Sequence, residues 1–128
     1  MNLLIDSHAL IWGYFDPNRL SATARTQMTD PSNRVFVSSA SHWEIAIKIS
    51  IRKLNLTEPF VEFVQHAILD NGFTILPIEP RHTAELISLP YHHRDPFDRL
   101  LVTQAMVENL PVVSVDPVLD LYPIRRIW

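Results

Sequence analysis

The chain has 128 residues, close to the commonest size of a single domain, so we expect one domain over residues 1–128. Apolar residues make up 47% of it and charged residues 20%, which is typical of a folded globular protein. Cysteine is absent, which excludes disulfides, thiolate catalysis and sulfur-based zinc sites. The net charge of −3 argues against a general nucleic-acid coat protein, but it does not exclude a nuclease with an acidic metal pocket.

The apolar run before Asp6 is too short for a signal-peptide core, and no run approaches the roughly 18 apolar residues of a membrane span. Together with the missing cysteines, this predicts a soluble, cytoplasmic protein without a membrane partner.

Short apolar runs alternate with helical patterns along the chain, which predicts an α/β domain with a mainly parallel sheet. The predicted strands are Leu3 to Asp6, Val35 to Ser38, Thr74 to Ile78, Val112 to Val115 and Ile124 to Ile127. The predicted helices are Ser21 to Met28, Ser41 to Arg52, Pro59 to Asn71, Pro80 to Ser88 and Pro96 to Glu108. The last has the clearest start, an N-cap aspartate followed by proline at the first helical position.

The helix predicted from Ser41 is apolar on almost all sides, so we expect most of it to be buried. Its polar residues lie along one line, formed by Ser41, Glu44, Lys48 and Arg52.

Four carboxylates are expected to meet at one edge of the sheet. Asp6 and Asp116 follow predicted strands, and ligands of open parallel sheets bind beyond the carboxyl ends of the strands. Glu44 and Asp98, each placed in the first turn of a predicted helix, can point into the same crevice. This constellation is the candidate catalytic site.

Such a cluster needs protons or a cation, because two carboxylates about 4 Å apart repel by roughly 4 kcal/mol at an effective dielectric constant of 20. Oxygen ligands alone select a hard divalent ion, magnesium or manganese. An ion held in this way suits phosphodiester hydrolysis.

Each acid also has a structural interpretation. Asp6 can cap a helix, and Asp116 stands before a proline as a capping residue does, so its roles as cap and as ligand both remain open. Glu44 and Lys48 have the spacing of a surface ion pair, and Asp98 can favour the positive end of a helix dipole.

Three segments are recognisable when taken together: residues 3–12 (LLIDSHALIW), residues 38–48 (SSASHWEIAIK) and residues 92–101 (HHRDPFDRLL). They resemble the PIN-domain family, and in particular the VapC group of type II toxins. The resemblance implies a three-layer α/β/α sandwich around a parallel sheet of about five strands. Its acidic metal site carries over onto Asp6, Glu44 and Asp98, with Asp116 at the position of a fourth, less uniform acid. Asp6 and Asp98 are the expected metal ligands.

By the same resemblance we expect Mg²⁺-dependent cleavage of single-stranded or looped RNA, with Mn²⁺ as a substitute, by the toxin of a toxin–antitoxin pair. A homodimer and a cognate VapB-like antitoxin, whose C-terminal segment blocks the active-site groove, are also implied. Ser7 stands where many relatives carry threonine, and both supply a hydroxyl that can order a metal-bound water.

Four residues are predicted to contact the substrate: Ser7, Lys48, Arg94 and Arg99. The two arginines, with His92 and His93, can form a positive lip that a polyanion needs near an acidic pocket. The alternative for this group is simple solvation of a helix start.

Two alternative functions remain. A flavodoxin-like or receiver-type signalling module also places acids at strand ends, but a receiver needs an acidic pair near its first strand and a late lysine, whereas Asp6 stands alone and Lys53 is the last lysine. The second alternative is a PIN fold that binds without catalysing.

Overall fold

All five strands of the computed structural model, which describes residues 1–128, run parallel in one sheet of order β3-β2-β1-β4-β5. The strands are β1 (Asn2–Ile5), β2 (Arg34–Ser38), β3 (Thr74–Leu76), β4 (Val112–Val113) and β5 (Arg126–Ile127). Since they are parallel, their carboxyl ends lie along the same edge of the sheet.

The strand order reverses between β1 and β4. The chain adds β2 and β3 on one side of β1, and then returns to place β4 and β5 on the other side. Leu4 pairs with Val112 and Ile5 pairs with Val113 across this boundary. In an open parallel sheet such a reversal leaves a crevice beyond the strand ends.

Six α-helices connect and cover the strands. They are α1 (Ser7–Phe15), α2 (Ala22–Thr29), α3 (Ser39–Ser50), α4 (Phe60–Val64), α5 (Pro80–Glu85) and α6 (Pro96–Glu108). A π-helical turn (Gln65–Leu69) continues α4, and 3₁₀ turns occupy Pro17–Arg19, Leu86–Ser88 and Pro117–Leu121. None of the helices combines the length and the apolar character needed to cross a membrane.

Two apolar layers lie on opposite faces of the sheet because side chains alternate along each strand. Leu3 and Ile5 of β1 pack in the layer that includes α1, α2 and the segment of α4 and the π turn. Leu4 packs in the other layer, which contains α6. The three-layer α/β/α architecture expected from the sequence is therefore confirmed.

Most of the predicted elements are present, and α6 has the bounds expected from its Asp95-Pro96 start. Helix α1 was missing from the prediction, although Asp6 was considered as a helix cap. The bounds predicted for the helix from Ser41 to Arg52 were wrong: the observed helix, α3, begins at Ser39, capped by Ser38, and ends at Ser50. Arg52 lies beyond it with a positive φ of 61°.

The expectation that this helix is mostly buried was also wrong. Only four of its residues are buried, namely Ala40, Ser41, Glu44 and Ile45. Six more are half-buried, and Trp43 is 56% exposed.

Candidate active site

Asp6 lies at the base of the crevice, directly after β1. Its Oδ1 accepts a hydrogen bond of 2.8 Å from the backbone N–H of Ala9, so it caps α1. Burial raises the pKa of the Asp6 carboxyl, and the nearby Glu44 raises it further, while hydrogen bonds from Ser114 and Ala9 oppose the rise. The capping hydrogen bond therefore does not occupy the Asp6 carboxylate fully, and its surroundings still disfavour the ionised form.

Glu44 is buried. It lies in the second turn of α3 rather than the first, because the helix starts two residues earlier than the sequence predicts. The Ser7 hydroxyl donates a hydrogen bond of 2.8 Å to its Oε1, and Lys48 Nζ lies 3.0 Å from its Oε2. These two side chains hold the carboxylate of Glu44 in one orientation.

Of the four acids, Asp98 is held least by hydrogen bonds from the protein. It lies in the first turn of α6, three residues after the capping Asp95, and its carboxylate accepts no hydrogen bond from the protein. Burial, together with the charges of Asp95, Glu44 and Asp116, raises the pKa of Asp98 to about 6 against the opposing effect of nearby His93.

Asp116 follows β4 by three residues and caps the 3₁₀ turn at Pro117–Leu121 through a bond of 3.0 Å from Val118 N–H to its Oδ1. His93 Nε2 lies 2.7 Å from the other oxygen, Oδ2. Burial opposes ionisation of Asp116, but the hydrogen bonds from His93 and Val118 prevail and lower its pKa.

Ser114 links two of the acids, Asp116 and Asp6. Its side chain is completely buried, its hydroxyl accepts a hydrogen bond of 3.1 Å from the backbone N–H of Asp116, and it also bonds to the carboxylate of Asp6. Sequence reasoning gave Ser114 no part in the site and placed His93 only in a positive lip beside it. The adjacency of β1 and β4 reveals Ser114, and the fold of the loop before α6 reveals the pairing of His93 with Asp116.

The structure thus brings all four predicted acids together through pairwise proximity. Glu44 raises the pKa of both Asp6 and Asp98, and Asp116 raises that of Asp98. As the side chains stand, no three of them converge closely enough to hold a metal ion. The donor set nevertheless fits a hard divalent cation, because the acids offer only oxygens and a cation would relieve the raised pKa values of Asp6 and Asp98.

Two of the predicted substrate contacts have very different surroundings. Arg94 is exposed in the loop before α6. Arg99 is buried, its guanidinium donates to the backbone carbonyls of Pro90 (2.9 Å) and Leu89 (3.2 Å), and it lies over the ring of Tyr91. Arg99 is thus occupied in anchoring the loop, and we leave it out of the substrate surface.

The other two predicted contacts, Ser7 and Lys48, are both engaged with Glu44.

The exposed Trp43 packs edge-on against Phe97 of α6, with ring centroids 5.2 Å apart. Helices α3 and α6, which carry Glu44 and Asp98, therefore contact each other through these two side chains.

Comparison with solved structures supports the fold. A chain in the crystal structure of VapBC2 from Rickettsia felis bound to a DNA fragment from their promoter gives a TM-score of 0.71 at 12% identity, covering 98% of this chain and 97% of that chain. A chain in the structure of FitAB bound to the IR36 DNA fragment gives 0.59 at 16% identity, covering 98% and 93%. At these identities the similarity concerns the fold alone.

Sequence comparison is more specific. Ribonuclease VapC22 of Mycobacterium tuberculosis (strain ATCC 25618 / H37Rv) is 28% identical over 115 residues, which cover 89% of this chain and 86% of the relative. The model of the PIN domain matches residues 3–124, a span that includes all four acids. With this match over almost its whole length, the chain belongs to the PIN domain family.

Proposed function

We propose that this protein is a metal-dependent endoribonuclease and the toxin of a toxin–antitoxin pair. The observation that carries the proposal is the meeting of Asp6, Glu44, Asp98 and Asp116 beyond the carboxyl ends of β1 and β4, where two of the four have raised pKa values. Similarity to a relative named a ribonuclease supports RNA as the substrate.

Asp6 and Asp98 are the proposed metal ligands. Both carry a charge that burial penalises, and Asp98 has no protein partner of its own. Mg²⁺ is the ion we propose, with Mn²⁺ as a substitute, since carboxylates without nitrogen or sulfur donors suit hard cations. When bound, such an ion polarises a phosphodiester oxygen and neutralises charge in the transition state.

The chain's own groups prepare this site. Ser7 and Lys48 hold Glu44 in place, and Ser114 ties the backbone at Asp116 to the carboxylate of Asp6. Acids fixed in this way lose little freedom when the substrate arrives, which is how preorganised charge lowers a barrier.

A polyanion approaching four carboxylates needs positive charge nearby. Arg94 is exposed on the loop before α6, and Lys48 keeps about a third of its side chain, 36%, accessible beside Glu44. We assign both to phosphate contacts, which position the RNA backbone without reading its sequence.

An antitoxin of the VapB kind is the proposed protein partner, and a homodimer is the proposed assembly. Support for the antitoxin comes from the similar structures, which are described as VapBC2 and FitAB bound to DNA fragments. Light scattering of the purified chain tests the dimer directly.

The deciding experiment is cleavage of a labelled single-stranded and hairpin RNA panel by purified, antitoxin-free protein. We expect cutting with Mg²⁺ or Mn²⁺ and none with EDTA. Asp98→Asn should lower the rate by about 100-fold or more, the usual cost of removing a preorganised charge at a reacting centre. Asp70→Asn is the matched control, because Asp70 is exposed directly after the π turn and its replacement should leave the rate unchanged.

Expression in bacteria gives a second measurement. The wild-type chain should arrest growth, and the Asp98→Asn form should not. A folded wild-type protein that binds Mg²⁺ but cuts no RNA in the panel and permits growth would favour a PIN fold that only binds.

A further inference from the structure

We propose that His93 is a positioning residue, which holds the carboxylate of Asp116 in the orientation that the acidic site requires. This inference rests on the proposed nuclease function, and it resolves whether Asp116 is only a helix cap. It assigns a role to a histidine that does not itself touch the reacting atoms.

The direction of the contact follows from the groups involved. An ionised carboxylate only accepts hydrogen bonds, so the proton in the 2.7 Å contact between His93 Nε2 and Asp116 Oδ2 is on the imidazole. This holds for the neutral ring with its proton on Nε2 and equally for the charged ring.

Tyr122 fixes the imidazole from the other side. Its hydroxyl lies 3.3 Å from His93 Nδ1, accepts a hydrogen bond of 2.9 Å from the backbone N–H of His93, and its ring stacks on the imidazole at an interplanar angle of 12°. His93 and Tyr122 are both buried, with 9% and 4% exposure. The ring of His93 is therefore held at both nitrogens and on one face.

The two oxygens of Asp116 have different tasks. Oδ1 caps the 3₁₀ turn by accepting a hydrogen bond from Val118 N–H, and Oδ2 accepts the hydrogen bond from His93 Nε2. One bond fixes one oxygen, whereas two bonds fix the plane of the carboxylate. Each oxygen retains a lone pair for a further partner, and ligating carboxylates are commonly held by such outer hydrogen bonds.

The pair is placed to serve the acids as well as the fold. Both His93 and Asp116 lie near enough to Asp98 to shift its pKa, in opposite directions. The buried Arg99 anchors the loop that carries His93 by donating hydrogen bonds to its backbone carbonyls. The chain has two further histidine–carboxylate contacts, one of which offers a comparison: in His66 with Glu58, at 3.0 Å, the histidine is exposed and neither residue contacts the acids.

RNA cleavage by a set of variants tests the proposal. His93→Leu keeps the bulk and removes the donor, and we expect kcat to fall by about 10- to 100-fold, the usual effect of losing a support for a catalytic carboxylate, with KM changed by less than about twofold. His93→Gln carries an amide N–H near the position of Nε2 and should recover most of the loss. His66→Leu removes the unrelated histidine and should cleave like wild type.

Full activity of His93→Leu would overturn the proposal, and so would a His93→Gln variant that folds but is as slow as His93→Leu. Melting temperatures of both variants separate loss of fold from loss of orientation.

A second measurement uses the metal-free protein and no substrate. Nitrogen-15 NMR of the imidazoles should show a slowly exchanging proton on Nε2 of His93, identified by its disappearance in His93→Gln. The signal should persist in Asp98→Asn and be lost in Asp116→Ala. A His93 without this proton, or one unaffected by Asp116→Ala, would refute the pairing. If wild-type protein cleaves no RNA, the proposed function fails while this measurement still decides the role of His93.

Discussion

Replacement of Asp98 by asparagine should make the metal-free protein more stable at neutral pH while it abolishes activity. Burial of the Asp98 carboxyl and, to a smaller extent, the charges of Asp95, Glu44 and Asp116 raise its pKa to about 6, and no protein group donates a hydrogen bond to it. Asparagine has almost the same shape but no charge, so it avoids the penalty of an ionised group at this position.

The size and the pH range follow from linkage. Because its pKa is raised on folding from 3.8 to about 6, the folded state keeps the Asp98 proton to higher pH than the unfolded chain. The stability gained in this way is complete below about pH 4 and is lost as the pH rises through about 6. The difference corresponds to about 3 kcal/mol, which solvent screening of this partly exposed side chain reduces to about 1–2 kcal/mol.

The assay is thermal unfolding of wild type and Asp98→Asn in EDTA at two pH values. At about pH 7.5 the variant should melt about 3–8 °C higher, and at about pH 4 the two should melt together. Asp120→Asn is the control, because a hydrogen bond from Arg126 lowers the pKa of Asp120 and its loss should not stabilise. An Asp98→Asn variant that melts lower at neutral pH, or equally higher at both, would refute the reasoning.

Two further predictions concern side chains that hold the site together. Ser7→Thr keeps the hydroxyl that donates to Glu44 and should retain RNA cleavage. Ser7→Ala should lower cleavage, and it should lower the free energy of unfolding by about 1.5–3 kcal/mol, because a buried charged acceptor loses its donor. Equal cleavage by the two variants would contradict this role. Arg99→Leu should lower the free energy of unfolding by about 2 kcal/mol in urea titrations, since the carbonyls of the preceding loop lose their donors. An unchanged urea midpoint would show that the loop does not depend on Arg99.

The fold could be predicted because its signals are local. Apolar runs of strand length alternate with capped helices, and the Asp95-Pro96 start placed α6 at its observed bounds. Helix α1 was missed because its N-cap, Asp6, also ends the preceding strand, so one residue carries two signals. The start of α3 was misplaced because Ser38, Ser39 and Ser41 all resemble a cap, and only the tertiary structure selects the first.

The acids of the site could be listed from the sequence because Asp6 and Asp116 follow predicted strands, while Glu44 and Asp98 lie near the starts of predicted helices. The family resemblance then supported the same four residues. What surrounds them could not be listed. The contact of His93 with Asp116 spans 23 residues and that of Ser7 with Glu44 spans 37, so neither leaves a local pattern. Arg99 was misjudged for a related reason: in sequence it is one more charge near a helix start, and only the folded loop shows that carbonyls surround it.

The short outer strands of the sheet limit how this protein can associate. Strand β3 has three residues and β5 has two, so each edge offers few unpaired backbone groups to another chain. Arg126 of β5 is occupied by an ion pair with Asp120 and by the carbonyl of Ser114. Contact between two copies through their sheet edges is therefore disfavoured, and each sheet is expected to keep its five strands. Self-assembly by strand addition is disfavoured for the same reason, because the short edge strands expose few backbone groups to a further strand.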